Sequence, residues 1–397
     1  MKKNLAVMFG SRACEHDVSI VSAVQLMASV DTAKYNVIPI YISKSGAWYT
    51  GRGLQDIKTY QPFDESGGEL KVVKLDFGGL GFYVDSTAGF LRKTEQIPLK
   101  VDVVIPVFHG MNGEDGTVAG VLELLNVPYA SSGLLGSSVG MDKIAQKMLF
   151  KGCGFPQLNF TWVLRSEWKA TRDSVLKKIE DEIGYPCFAK PANLGSSIGI
   201  SKATDKASLE EALAVAFSFD RRVIIEPAVT QPLEVNCSVL GFDGDVTPSV
   251  LEAPVSWQEF LTFEDKYLSG GKSSKSGGKN GAGMASLSRR IPAPISDDMT
   301  RRVKTLSADV FRALDCKGVV RIDYMIDETT QSLYINEINT IPGSLAFYLW
   351  EAGGLPYGKL IDRLVEFAFA AHNEKNAGTF SFDSNIISHA GKGLKQM

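Results

Sequence analysis

Three apolar runs separated by helical patterns constrain this chain most. They are "NLAVMFG" (4–10), "YNVIPIYIS" (35–43) and "VDVVIPVFHG" (101–110). Each reads as a buried strand, because it is too apolar to leave one face in water. "HDVSIVSAVQLMASV" (16–30) and "GTVAGVLELLN" (116–126) carry the period of an amphipathic helix between and after them. Strand–helix alternation of this kind predicts an α/β fold with a parallel sheet, and ligands near the carboxyl ends of its strands. Residues 51–100 are Gly-rich and irregular, which predicts a small hairpin excursion.

The second half reads differently. "MDKIAQKMLFKGC" (141–153) predicts a helix and Pro156 a turn. "YPCFAKPA" (185–192) is a strand, followed by "NLGSSIGI" and a helix from about Ser208 to Phe219. "RVIIEPAV" (222–229) and "LEVNCSVLGF" (233–242) are strands rich in hairpin signals, so an α+β unit is expected here. The middle of residues 263–292 is almost wholly Gly, Ser and Lys. It cannot bury a core, and it is either an idle surface insertion or a cationic lid over an anionic ligand. "DDMTRRVKTLSADVFRALD" (297–315) and "PYGKLIDRLVEFAFAAH" (356–372) predict the last helices, and a polar tail follows from Asn373.

Composition narrows the class. In 397 residues with a net charge of −3, no electrostatic case exists for nucleic acid or an anionic membrane as partner. The five cysteines (Cys14, Cys153, Cys187, Cys237, Cys316) contain no CxxC pair, which fits a reducing compartment and argues against structural zinc. The apolar run behind the two N-terminal lysines is too short for a signal peptide and is interrupted by Glu15, His16 and Asp17. No apolar stretch of about 18 residues is present to span a membrane. A cytoplasmic α/β enzyme or binding protein is expected.

Several familiar chemistries are also missing. There is no G-x-x-x-x-G-K-[ST], no G-x-G-x-x-G after the first strand, and no zincin pair among the four histidines. Carboxylates, lysines and Gly-rich turns must carry the chemistry. Asp323 in "RIDY" lies on one strand, and Glu337 and Asn339 in "YINEIN" lie two apart on another, hence on one face. Adjacent strands would gather two carboxylates and an amide, an oxygen-only set suited to Mg²⁺ that completes its shell with water and phosphate. The alternative is a solvated polar patch; the apolar neighbours Ile322, Ile335 and Ile338 favour a half-buried sheet. "KPANLGSSIG" (190–199) ends a strand in Lys and continues in a turn whose N–H groups can cradle phosphate. "MDK" (141–143) and "DKYL" (265–268) supply further lysines. "IIEPAV" (224–229) ends a strand in Glu226, with Pro227 after it, a place for adenine and ribose.

Taken together these residues resemble the ATP-grasp ligases. "GSRACEHDVSIVSA" (10–23), "VFHGMNGEDGTVAGVLELLNVPYASSG" (107–133), "MDK", "KPANLGSSIGISK", "KY" and "NEINTIPG" occur in the order found in D-alanine–D-alanine ligases, and the resemblance runs from about residue 4 to 370. It implies an N-terminal α/β substrate domain (1–132) followed by a two-lobed ATP-grasp fold: a central subdomain (133–229), a C-terminal subdomain (230–372) with lid 263–292, and the tail 373–397. It implies two D-alanines and ATP as substrates, an acyl phosphate intermediate, two Mg²⁺ or Mn²⁺ ions, and a homodimer. Residue by residue, Glu15 resembles the carboxylate that receives the first substrate's ammonium, and His109 lies near the same pocket. Lys143 and Lys190 resemble the phosphate lysines, with Ser196 and Ser197 in the closing turn. Glu226, Val229 and Glu234 match the ribose and adenine side, and Lys266 the lid lysine on the γ-phosphate. Arg321 and the Gly343 N–H resemble the oxyanion stabilisers, and Asp323, Glu337 and Asn339 the ligands of two metal ions. Tyr267 matches a lid tyrosine networked with Ser196 and Glu15, which implies an amine acceptor, D-alanine or D-serine.

Two departures bear on the acceptor. The lid insertion after Leu268 is longer and richer in Gly, Ser and Lys than the family's loop. "SLAFYLWEAGGL" after Pro342-Gly343 is shorter than the family's segment and lacks its T-x-x-S-x-x-P, whose Ser helps hold the acceptor carboxylate. Ser344 or Tyr348 is the expected replacement, whereas Phe347, Tyr348 and Trp350 otherwise read as the first turn of a packed helix. The leading reading is synthesis of D-alanyl-D-alanine for peptidoglycan. Its rivals are a ligase with another acceptor, and a non-catalytic nucleotide-binding homologue.

Overall fold

A computed structural model describes residues 2–65, 70–88, 93–254 and 289–381. Most of the 263–292 insertion, with Lys266 and Tyr267, and the tail beyond residue 381 lie outside the described residues. The first sheet contains β1 (Lys3–Gly10), β2 (Tyr35–Ile42), β3 (Trp48–Thr50), β4 (Lys71–Asp76), β5 (Gly81–Ala88), β6 (Lys93–Pro98) and β7 (Val103–Val107). Its order is β6-β5-β4-β3-β2-β1-β7. The apolar runs β1, β2 and β7 are parallel, as the alternation predicts. Residues 51–100 are more than a hairpin excursion. β3 to β6 extend the same sheet antiparallel, so the sheet is mixed. The reason is visible in β4, which is buried mainly at Val73 and half-solvated elsewhere; an antiparallel edge tolerates water on one face.

Helix α1 (His16–Ser29) lies on this sheet, and α2 (Thr117–Leu124), α3 (Leu134–Met141) and α4 (Lys143–Gly152) follow β7. A second, antiparallel sheet is built from β8 (Thr161–Leu164), β9 (Cys187–Pro191), β10 (Ser201–Ala203) and β11 (Arg222–Pro227), in the order β10-β9-β11-β8. α5 (Arg165–Ala170), α6 (Arg172–Glu182) and α7 (Lys206–Phe219) accompany it, and α6 and α7 pack their apolar faces into its core. The third sheet contains β12 (Pro232–Phe242), β13 (Asp245–Pro254), β14 (Arg289–Arg290), β15 (Gly318–Asp327) and β16 (Ser332–Asn339). Its order is β14-β13-β12-β15-β16, covered by α8 (Asp297–Ala313). α8 is capped by Ser296, which accepts from the Met299 N–H, and carries Asp297 and Asp298 in its first turn, where the helix dipole favours them.

The chain then returns to the first core. α9 (Phe347–Ala352) and α10 (Tyr357–Ala377) bury Phe347, Trp350, Leu360 and Leu364 in the core cluster that also holds residues of β1, β2 and β7. α10 therefore runs five residues past the expected start of the tail. Phe347, Tyr348 and Trp350 are the first turn of a packed helix, with Phe347 stacked on Tyr357 at 4.6 Å between ring centroids. Among the described residues no helix is long and apolar enough to cross a membrane.

One irregularity in the third sheet positions the site. Ile335 and Ile338 are both buried, yet they lie three apart, which a regular strand cannot place on one face. The β15–β16 register shifts between Asp323 and Tyr324, and this bulge resolves the conflict. Beyond it Glu337 lies opposite Asp323 and Asn339 opposite Arg321, all on the face away from the Ile322 core.

Candidate active site

The predicted oxygen set does assemble. Arg321 donates to both oxygens of Asp323 (Nε–Oδ1 2.6 Å, Nη2–Oδ2 2.7 Å), and Asn339 Nδ2 donates to Asp323 Oδ2 at 3.0 Å. Burial alone would weaken the Arg321 cation, but the Asp323 carboxylate beside it holds it firmly charged. Glu337 meets Lys143 at 3.0 Å. Lys143 begins α4 behind the Asp142 cap, and its ammonium also donates to the Leu194 carbonyl at 2.9 Å. Burial pulls its pKa down, but the surrounding carboxylates, Glu337 foremost with Glu15 and Glu226, together outweigh it and the balance is raised. Asp142 is itself paired with Arg222 of β11, which ties α4 to the second sheet.

Lys190, on β9, reaches Glu226 of the neighbouring β11 at 2.8 Å and Asn336 at 3.4 Å. Glu226 is 1% exposed, and its second oxygen meets Lys147, which is equally buried. Desolvation pushes the Glu226 pKa up, but the two lysines outweigh it and bring it down to about 2. The carboxylate of Glu226, expected on the ribose and adenine side, is thus committed to two lysines. Glu234 is exposed on β12, and Val229 is half-buried in the loop after β11.

Across the site Glu15 stands at the start of α1, 5% exposed, and accepts a hydrogen bond from the Ser196 hydroxyl. Two glycines make room for this carboxylate. A Cβ on Gly110, whose φ is +75°, would lie 2.5 Å from Glu15 Oε2, and one on Gly195 would lie 3.0 Å from both oxygens. Ser196 and Ser197 hold left-handed backbone (φ 53° and 59°), which turns the 193–200 loop towards Glu15.

His109 is placed behind the pocket, 4% exposed, with Nε2 against the Ser22 hydroxyl (3.0 Å) and Nδ1 against the Ile341 carbonyl (3.0 Å). Burial lowers its pKa to about 4, so the ring is neutral at ordinary pH. Gly343 is buried just after Pro342. Ser344, Leu345 and Ala346 form three successive left-handed residues (φ 48°, 55° and 49°), each costing about 1–2 kcal/mol. The turn is held by the Ser344 N–H on Ser22 (3.1 Å) and by the Ser344 hydroxyl on Gln25 (2.8 Å). Tyr348 donates to Glu252 at 2.8 Å, with the Arg289 guanidinium 3.8 Å from its ring centroid and 2.7 Å from the same carboxylate. The side chains of Ser344 and Tyr348, expected to hold the acceptor, are engaged inside the protein here.

Three groups escaped the sequence reading: Lys147, Glu252 with Arg289, and Glu114. Lys147 follows Lys143 by one helical turn, a spacing that could have flagged it. Glu114 is 9% exposed and accepts from the N–H of Gly110 (3.1 Å) and of Ile341 (3.1 Å). With His109 on the Ile341 carbonyl, it clamps the residue before Pro342-Gly343 from both sides. Desolvation, then the nearby Glu15, raises Glu114 from 4.5 to about 7. Its proton is therefore kept in the folded protein and lost in the unfolded chain between pH 4.5 and 7. That contribution to stability is complete below 4.5 and disappears as pH rises through 7. Glu114→Gln removes it: urea unfolding at pH 5 and pH 7.5 is expected to show the wild type losing up to about 3 kcal/mol more than the variant over this window.

Residues 4–132 match the family described as "D-ala D-ala ligase N-terminus", and residues 149–366 match "D-ala D-ala ligase C-terminus". The chain belongs to the D-alanine–D-alanine ligase family. It is 39% identical over 384 residues to a D-alanine–D-alanine ligase of Heliobacterium modesticaldum, covering 94% of this chain and 97% of that one. It is 36% identical to one from Thermosipho melanesiensis, covering 97% and 98%. Among solved structures it resembles the D-alanine–D-alanine ligase from Coxiella burnetii (TM-score 0.76, 25% identity, 95% and 98% covered). It resembles the D-Ala:D-Ser ligase VanG from Enterococcus faecalis equally in fold (TM-score 0.76, 28% identity, 93% and 100% covered). The ATP-grasp architecture expected from the sequence is that of these ligases.

Proposed function

We propose that the protein joins two D-alanines to D-alanyl-D-alanine at the expense of ATP, supplying peptidoglycan precursors. The observation that carries this reading is the meeting of two half-sites in one cleft. Lys143 spans them, contacting Glu337 of the oxygen set and the Leu194 carbonyl beside the Gly195–Ser196 turn on Glu15. A carboxylate oxygen of the first D-alanine attacks the γ-phosphorus, ADP leaves, and an acyl phosphate forms. The second D-alanine's amine adds to the acyl carbon, and phosphate leaves with the former carboxylate oxygen while the amine gives up a proton.

The residues have matching tasks. Glu15, oriented by Ser196, receives the first ammonium group. Lys143 and Lys190, with Lys266 of the lid, balance the phosphates, Ser196 and Ser197 close the loop over them, and Glu234 and Val229 face ribose and adenine. Arg321 and the Gly343 N–H face the oxyanion of the tetrahedral intermediate. His109, through Ile341 and Ser22, holds the Pro342–Ser344 turn in place, and Tyr267, outside the described residues, keeps the lid role that the resemblance implies.

Mg²⁺ or Mn²⁺ fits the oxygen set. Among the described residues no three His, Cys, Asp or Glu side chains cluster into a metal cage. Asp323, Glu337 and Asn339 alone would leave most of a hard cation's shell to phosphate and water, the way such sites hold Mg²⁺ with nucleotides. Bound there, the ions would neutralise charge on the transferring phosphoryl group. We assign the units 1–132, 133–229 and 230–372 to substrate, central and C-terminal ATP-grasp domains, and the working form to a cytoplasmic homodimer.

Two experiments test these assignments. Glu15→Gln keeps the Ser196 contact but removes the charge, and is expected to raise the KM for the donor D-alanine by about tenfold to a hundredfold with the KM for ATP little changed. An unchanged donor KM would remove Glu15 from the role. Second, mass analysis of products formed from ATP with mixed D-alanine and D-serine is expected to show D-alanyl-D-alanine as the main product. Predominance of D-alanyl-D-serine would favour the second reading, an alternative acceptor, suggested by the fold shared with VanG and by the internal pairing of Ser344 and Tyr348.

A further inference from the structure

Two lysines share the carboxylate of Glu226, and they are not equivalent. Lys190 sits on β9, 6% exposed, and also touches Asn336, next to Glu337 of the oxygen set. Lys147 sits on α4, 1% exposed, and contacts the other oxygen of Glu226 from the core side. Its helix is tied to the segment that follows it by Gln157, whose Nε2 donates to the Lys147 carbonyl at 2.8 Å. Lys147 is thus sealed behind Glu226, whereas Lys190 borders the cleft.

Lys190 faces a difficulty if it is to hold phosphate. It is already 2.8 Å from Glu226, and moving its charge to a nucleotide would abandon a carboxylate buried to 1% exposure. A buried carboxylate left without a counter-charge is strongly unfavourable, so a lysine paired this way would resist being recruited. A second cation on the same carboxylate removes that obstacle. We propose that Lys147 is a positioning residue that acts as a stand-by counterion: it keeps Glu226 neutralised and so releases Lys190 to the polyphosphate. The inference rests on the ATP-dependent reading above and names the residue that sets nucleotide affinity without touching the nucleotide. It also accounts for a fully buried lysine whose charge burial disfavours.

The test is steady-state kinetics of phosphate release by the full chain, varying ATP and D-alanine separately. Lys147→Met is expected to raise the KM for ATP by about tenfold or more and to leave the KM for D-alanine within about twofold, because Lys190 becomes locked on Glu226. Lys147→Arg is expected to stay near the wild type. Adding Glu226→Gln to Lys147→Met is expected to recover most of the ATP affinity, since no carboxylate remains to hold Lys190. A merely structural lysine would not give that recovery. An unchanged KM for ATP in Lys147→Met, or a double variant no better than the single one, would overturn the proposal. If Lys147→Met does not fold, Glu226→Gln and the double variant decide: equal KM values for ATP support the proposal, and a KM about tenfold higher in the double variant contradicts it. Wild-type protein without ATP-dependent phosphate release would instead defeat the functional reading itself.

Discussion

Glu337→Ala is expected to stop phosphate release, with kcat falling about a thousandfold or more. Glu337 lies directly opposite Asp323 across β15 and β16, and it is the carboxylate that Lys143 contacts. Its removal takes one of two carboxylates from the oxygen set, so a hard cation keeps only Asp323 and Asn339. It also leaves the buried Lys143 without the partner that most favours its charge. The side chain is on the half-buried cleft face of the sheet, and Ile335 and Ile338 pack the other face. The variant should therefore still fold, with a thermal melt lowered by the unpaired Lys143, while activity disappears. Retained activity would remove Glu337 from the metal site.

Arg321→Lys is expected to lower kcat by about a hundredfold to a thousandfold while changing the KM for ATP little. The charge survives, but the planar fork does not. Arg321 uses Nε and Nη2 to grip Asp323 and has Nη1 to direct at a developing oxyanion. An ammonium can occupy only one of these places. If both kcat and the KM for D-alanine were unaffected, Arg321 would be a structural partner of Asp323 and the oxyanion would have to be met elsewhere.

Much of this was legible in the sequence, for reasons that can be named. The apolar runs of β1, β2 and β7 announce parallel strands because burial on both faces leaves no polar position. The Glu337/Asn339 pair is readable because strand alternation fixes which side chains share a face. The antiparallel extension β3–β6 is hidden, because half-solvated strands separated by Gly-containing stretches look like loop. The Ile335/Ile338 spacing carried the signal of a bulge, which only pairing with β15 makes definite. Lys147 and Glu114 were invisible for a different reason. Their neighbours in space, Glu226 and Ile341, are 79 and 227 residues away, and no local pattern reports such a pairing. Ser344 and Tyr348 were located as segment residues facing a site, but their bonds to Gln25 and Glu252 depend on α1 and β13 arriving from elsewhere in the chain.

The central claim is that a carboxylate is activated as its acyl phosphate in this cleft. The most direct measurement uses D-alanine labelled with ¹⁸O in both carboxylate oxygens, ATP and Mg²⁺, with mass analysis of the inorganic phosphate and the dipeptide. Transfer of one labelled oxygen to each phosphate released, with one retained in the new amide carbonyl, is the predicted result. Phosphate free of label would contradict the account, because the oxygen would then have come from water and no acyl phosphate would have formed.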